Sequence, residues 1–142
     1  MKRLKTYTAI ISTAVALAFV LAALAAGATA TSATDEHFSV REYNLFHDVL
    51  HPLQHEALPK KDFKTIRARA SELAARGRAI VRLGVPAGVE DKAEFAKELK
   101  GFEKALLRFK ADARKPSDAR LEASYTALHD AFEMLASLLP LK

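Results

Sequence analysis

The sequence predicts an all-α fold, an antiparallel up-down-up-down four-helix bundle that follows an N-terminal export signal. Apolar residues recur at alternating spacings of three and four in four separate stretches, and no stretch of strand length alternates with a period of two. Proline, glycine and helix-capping residues separate the four stretches. Each predicted helix has about 22 residues and is about 33 Å long. Four helices of equal length with short connections favour the antiparallel arrangement.

Residues 1–30 have the pattern of a signal peptide. Lys2, Arg3 and Lys5 precede an apolar run over 9–27, and small residues follow at 28–30. We expect cleavage after Ala30 and a periplasmic or otherwise exported protein, with a short flexible segment over 31–36 and the bundle over 37–142. The apolar run is also long enough for an uncleaved membrane anchor, which is the alternative. Once the signal is removed, no stable membrane insertion is expected.

The first helix is predicted over 37–58 and the second over 62–83. Pro52 removes an amide inside the first helix, so we expect a kink there, or a helix that stops at His51 and restarts. Leu58 and Pro59 end this helix, and the Asp62 side chain can accept the free amides that open the second. The core-facing residues are Tyr43, Phe46, Leu50, Leu53 and Ala57 on the first helix and Phe63, Ile66, Ala70, Leu73, Gly77 and Ile80 on the second.

The third helix is predicted over 91–114 and the fourth over 118–139. Gly84 ends the second helix, and Asp91 with Glu94 forms a capping box for the third. Ser117 or Asp118 caps the fourth. Gly77 faces the core, where its missing side chain favours a close approach of two helices. The core-facing residues are Phe95, Leu99, Phe102, Leu106, Phe109 and Ala113 on the third helix and Leu121, Tyr125, Leu128, Phe132, Leu135 and Leu139 on the fourth.

The composition excludes several classes of function. Three of the 22 lysines and arginines lie in the signal, against 17 acidic residues in the whole chain, so the exported domain is close to neutral and nucleic-acid binding is not expected. The absence of cysteine excludes disulfides, thiolate metal sites, covalent haem attachment and cysteine catalysis. The sequence has no glycine-rich phosphate loop and no G-x-S-x-G motif, and no nucleophile, base and orienting group converge. We therefore do not expect an enzyme.

The first and fourth helices share a near-repeat. Tyr43 precedes His47 and Asp48 by the same spacing with which Tyr125 precedes His129 and Asp130. Any polar residue would satisfy the helical periodicity at the His-Asp positions, so the periodicity alone does not account for this part of the repeat. Counting from the end that the two antiparallel helices share places the two histidines at one level, on flanks where neighbouring helices touch. The same count pairs His51 with Tyr125 and Tyr43 with Glu133.

This arrangement predicts a metal site formed by His47, His51, His129 and Glu133. Two side chains four residues apart on a helix can chelate one ion, and imidazole with carboxylate suits zinc or copper best. His51 and Glu133 are separated by about 12 Å along the axis, so a three-ligand site or two neighbouring ions fits better than one four-ligand site. The alternative is a structural or interaction bundle in which these groups only form hydrogen bonds. His55 is interpreted as part of a solvated helix end.

An exported all-α chain of this size resembles the periplasmic four-helix bundles of the b-type and c-prime cytochromes. In those proteins the last helix provides a histidine to the haem iron, and in the b-type kind the first helix provides the second ligand. His129 and His47 match that outline, while the sequence has no Cys-x-x-Cys-His motif and no methionine ligand on the first helix. The resemblance implies, as an alternative function, an electron carrier that holds haem b noncovalently through two histidines. A metal ion is the expected partner, and a homodimer is an open alternative.

Overall fold

The computed structural model describes residues 37–141, and over this range the protein is entirely helical, without a β-strand. The helices are α1 (Arg41–Pro52), α2 (Phe63–Leu83), α3 (Lys92–Asp112) and α4 (Asp118–Ala136), and a π-helical turn over Leu53–Ala57 continues α1. The four predicted helices are therefore present, each somewhat shorter than predicted. The signal peptide over 1–30 and the flexible segment over 31–36 lie outside the described residues. Within 37–141, none of the helices combines the length and the apolar character that a bilayer span requires.

The first helix begins at Arg41 rather than at His37, because Asn44 holds the preceding segment in another conformation. The Asn44 Oδ1 accepts the Phe38 amide at 2.7 Å, and its Nδ2 donates to the Phe38 carbonyl at 3.0 Å. A side chain that binds the backbone six residues earlier competes with the helical hydrogen-bond pattern there. These two hydrogen bonds hold Phe38 in a partly buried position just before α1.

The predicted irregularity at Pro52 is a change of helix type. Proline has no amide proton, so the α-helical ladder loses one bond at this position. Beyond it the backbone bonds span five residues, from the Leu58 amide to the Leu53 carbonyl and from the Asp62 amide to the Ala57 carbonyl, both at 2.9 Å. The chain therefore does not stop before the proline and restart, but continues as a wider π turn.

The other three helices begin at side-chain caps, as the sequence predicts. In each case an oxygen of the capping residue accepts the amide three residues later, and the cap of α4 is Ser117 rather than Asp118. The distances are 3.0 Å for Asp62, 2.8 Å for Asp91 and 3.3 Å for Ser117. Each cap satisfies an amide that the first turn of a helix leaves unpaired.

The apolar faces of the four helices meet in one core, whose centre is aromatic. The Phe132 ring of α4 lies 4.8 Å from the Phe46 ring of α1 and 6.4 Å from the Phe102 ring of α3, measured between centroids. Gly77 allows α2 and α3 to approach closely, because a Cβ atom at this position would lie 2.6 Å from a side-chain carbon of Leu106. The predicted role of this glycine is confirmed.

Polar contacts fix both ends of the helical unit. At one end the Ser39 hydroxyl, before α1, donates to the carbonyl of Pro140, after α4, at 2.9 Å. At the other end Lys61 pairs with Glu122 in the second turn of α4. The Arg67 guanidinium of α2 also lies 2.6 Å from the carboxylate of Asp118, the first residue of α4. The start of α1 is thus beside the segment after α4, and the segment between α1 and α2 is beside the start of α4.

Candidate metal site

Three histidines at successive intervals of four residues form a row along α1 and the π turn. We call His47, His51 and His55 the histidine row. The centroids of the His47 and His51 rings are 5.2 Å apart, and those of the His51 and His55 rings are 4.3 Å apart. The ring planes are tilted by 56° in the first pair and by 43° in the second. His51 is therefore adjacent to both of the other rings.

The separation of the His47 and His51 rings is that of imidazoles that can share an ion. Two rings that bind one metal ion at about 2.1 Å, with an angle of about 90–110° at the metal, have centroids about 4.6–5.3 Å apart. The 5.2 Å of His47 and His51 falls within this range, and the 4.3 Å of His51 and His55 falls slightly below it. Each neighbouring pair therefore places its two rings at the centroid separation of a two-nitrogen chelate, or within about 0.3 Å of it.

The two ends of the row have different surroundings. The His47 ring is half-buried, with its edge toward the Phe38 ring at 5.6 Å and its face toward the Phe132 ring of α4 at 6.3 Å. His51 is also half-buried, whereas His55 is exposed to solvent. The His47 end of the row therefore contacts two aromatic rings, one of them on α4, and the His55 end at the π turn is open to solvent.

On α4 the predicted ligands form a separate pair. The His129 Nε2 lies 3.8 Å from the Glu133 Oε1, and the His129 Nδ1 lies 3.5 Å from the Asp130 Oδ1. The His129 side chain is 23% exposed, so it lies at the edge of the core rather than in it. The residue of α4 that faces the His47 ring is Phe132, one helical turn beyond His129.

No group of three or more histidine, aspartate or glutamate side chains within residues 37–141 is placed to hold one metal ion. The structure thus brings His47 and His51 together on α1 and His129 and Glu133 together on α4. It does not assemble three of these four predicted ligands into one cluster. Of the arrangements that the sequence allows, the one with separate neighbouring ions corresponds to these two pairs.

The two tyrosines of the repeat belong to the core. The Tyr125 hydroxyl donates to the Leu50 carbonyl at 3.0 Å, one residue from the level predicted for it. The Tyr43 ring stacks on Phe132 with a centroid distance of 6.0 Å, and its hydroxyl has no hydrogen-bond partner among the residues described. Burial raises the pKa of both phenols, so both stay neutral. Neither tyrosine is exposed enough to receive a ligand directly.

His55 was predicted to be part of a solvated helix end, and it is exposed in the structure. That prediction followed from its position near the predicted end of the first helix at Leu58, although its spacing of four from His51 was visible. The π turn instead keeps His55 beside His51. The signal in the sequence was the spacing of four residues, which repeats from His47 to His51 and continues across Pro52 to His55.

No protein-family model, no curated protein and no solved structure matches this chain. The resemblance to the b-type and c-prime cytochromes stays a prediction, because none of these comparisons bears on it. The functional interpretation rests on the positions of the rings and carboxylates described above.

Proposed function

We propose that this protein is an exported, antiparallel four-helix bundle that binds a transition metal ion, zinc or copper, for buffering, sensing or delivery. The observation that supports the metal site best is the 5.2 Å separation of the half-buried His47 and His51 rings on one face of α1. A pair of imidazoles already held at chelating distance loses little side-chain entropy on binding an ion.

The contacts at both ends of the helical unit support the antiparallel arrangement. Ser39 reaches the segment after α4, and Lys61 reaches the start of α4. A helix whose start lies near the end of another, and whose end lies near the start of that other, runs in the opposite direction. The connections α1–α2, α2–α3 and α3–α4 are short, which favours antiparallel neighbours throughout.

The donor set favours borderline metal ions. The row supplies nitrogen donors, and water would complete the coordination, since the chain has no cysteine. Imidazole suits zinc, copper and nickel, and copper(II) binds most strongly to such a site. The longer His47–His51 separation suits the wide angle of tetrahedral zinc, and the shorter His51–His55 separation suits the right angle of square-planar copper(II).

The α4 pair is a second, weaker site in this proposal. His129 and Glu133 have the same four-residue spacing as the neighbours in the row, with one carboxylate in place of an imidazole. Asp130 lies on the other side of the His129 ring. The carboxylate of Glu133 is half-exposed, so water competes for an ion here more than at the aromatic end of the row.

The test is the thermal stability of the purified full chain with zinc chloride or copper(II) chloride. At a metal concentration of 100 times the Kd, binding stabilises the folded state by about 2.7 kcal/mol, which raises the Tm by about 10 °C. We expect His51→Ala to abolish this increase, because His51 belongs to both pairs of the row. We expect His129→Ala to retain most of it. The matched control is His37→Ala, which removes an exposed histidine outside both pairs.

Two results would contradict the proposal. A Soret absorption band in the protein isolated from its source would identify it as a haem protein. An equal Tm with and without metal, together with no metal in the isolated protein, would identify it as a structural or interaction bundle.

A further inference from the structure

We infer that His55 is the outer ligand of a two-position metal track. An ion binds first between His55 and His51, at the exposed end of the row, and then moves to the position between His51 and His47. This inference rests on the proposed function, and it adds an unpredicted ligand and the route by which the ion reaches the inner pair.

The π turn is what keeps the three rings in line. In an α-helix four residues turn the chain by about 400°, so each successive histidine drifts by about 40° around the axis. Two such steps would place His55 well to one side of His47. A π turn has more residues per turn and advances less per residue, which removes much of the second drift. The 4.3 Å between the His51 and His55 rings, shorter than the 5.2 Å before it, agrees with this correction.

Pro52 explains why the π turn occurs at this place in the sequence. It lies between His51 and His55, and its missing amide disrupts the α-helical ladder at this point. The π turn begins at the next residue, Leu53. Single π turns inside helices are frequent at functional sites, and here the turn aligns two potential ligands.

The two ends of the histidine row differ in burial, and this difference determines the direction in which the ion moves. His55 is exposed, whereas His51 and His47 are half-buried, and His47 packs beside the Phe38 and Phe132 rings, which contact each other at 5.6 Å. A hydrated ion can reach His55 without displacing protein groups. At His47 the aromatic rings limit the access of water, so an ion held there exchanges more slowly.

The transfer is a ligand exchange without a change of oxidation state. The ion keeps its bond to a His51 nitrogen, loses its bond to a His55 nitrogen, and forms a new bond to a His47 nitrogen. One coordinated water leaves as the His47 nitrogen binds, and one water joins the ion as the His55 nitrogen departs. Imidazole binds a metal ion in its neutral form, so the exchange of one neutral imidazole for another moves no proton. Because His51 stays bound, the ion never returns to bulk water.

Stopped-flow binding of copper(II) chloride to the full chain tests this inference. The chain has three tyrosines and no tryptophan, and Tyr43 lies one helical turn from His47, so quenching of tyrosine emission reports ion arrival. We expect His55→Gln to lower the association rate constant by about tenfold, with a smaller change in the final affinity. We expect His47→Gln to leave association unchanged and to raise the dissociation rate by about tenfold or more. The control is Glu56→Gln, which alters the exposed neighbour of His55.

Pro52→Ala separates the role of the π turn from that of the imidazole. It retains His55 but restores an amide to the helical ladder, so association should slow as in His55→Gln while circular dichroism shows an intact helical fold. If the full chain binds copper(II) and both variants associate at the original rate, the track is wrong and the proposed function stands. If the full chain binds neither copper(II) nor zinc, the proposed function fails as well.

Discussion

The same residue pattern occurs in α1 and α4, yet its two copies have different surroundings. In α4 the Tyr125 hydroxyl is paired with a carbonyl of α1, and His129 lies between two carboxylates. In α1 the Tyr43 hydroxyl is buried without a partner among the described residues, and His47 begins a row of imidazoles. The repeat therefore specifies the positions of these groups on their helices, whereas the neighbouring helix decides what each group binds.

Phe132 accounts for much of this difference. In the repeat it corresponds to Leu50 of α1, and its ring contacts the Tyr43, Phe46 and His47 rings of that helix. The large ring on α4 packs against the His47 end of the histidine row. At Leu50 of α1, the contact with α4 is instead a hydrogen bond, in which the backbone carbonyl accepts the Tyr125 hydroxyl. The α1 copy therefore packs its aromatic rings against Phe132, whereas the α4 copy donates a hydrogen bond to the backbone of α1.

The largest expected effect is that of Phe132→Ala. Phe132 is fully buried, and removing its ring leaves a cavity against α1, so we expect a loss of about 3–5 kcal/mol in the free energy of unfolding. Urea denaturation measures this loss. The matched variant in the other copy is Leu50→Ala, for which we expect a smaller loss of about 2–4 kcal/mol because fewer atoms are removed. Equal losses would show that Phe132 has no special place in the contact between the two helices.

The next largest expected effect on the free energy of unfolding is that of replacing each tyrosine with phenylalanine. We expect this replacement to destabilise the protein at Tyr125 but not at Tyr43. Tyr125→Phe removes the hydrogen bond to the Leu50 carbonyl in a buried setting, so we expect a loss of about 1–2 kcal/mol in the free energy of unfolding. Tyr43→Phe removes a buried hydroxyl without a partner in the part of the chain described here, so stability should stay equal or increase by about 1 kcal/mol. Urea denaturation of both variants checks the pair, and a loss in Tyr43→Phe as large as that in Tyr125→Phe would contradict the difference.

The fold was largely predictable, because helical periodicity and caps are local properties of the sequence. The spacing of apolar residues located all four helices, and Asp62, Asp91 and Gly84 marked their ends. Pro52 identified the break in α1, but the form of that break depends on how the following residues pack against α2, which no local rule gives. The π turn was therefore not predictable from spacing alone.

The candidate site was predictable within a helix but not between helices. The distance between His47 and His51 follows from their spacing of four, and so does that between His129 and Glu133. The alignment of α1 and α4 along their axes determines which α4 ring faces His47. A shift of less than one helical turn is enough to change that ring. Counting residues from the predicted helix ends has an uncertainty of about one turn, and within that uncertainty the ring is Phe132 rather than His129.

The smallest expected effect compares two helix caps, Asp62 before α2 and Ser117 before α4. We expect the stability that the two caps contribute to respond differently to pH. The Asp62 carboxylate accepts the Thr65 hydroxyl at 2.7 Å and the Thr65 amide at 3.0 Å, and these bonds, the hydroxyl first, lower the pKa of Asp62 in the folded protein. A lowered folded-state pKa stabilises the fold above the unfolded pKa of about 3.9, and this stabilisation is lost as the pH falls through the folded-state value. We therefore expect Asp62→Asn to lower the urea midpoint at pH 7 and to have a smaller effect at pH 2.5. The Ser117 cap carries no titrating group, so Ser117→Ala should cost about 1 kcal/mol or less at both pH values. A loss in Asp62→Asn that is the same at both pH values would show that the cap acts through its hydrogen-bond geometry and not through its charge.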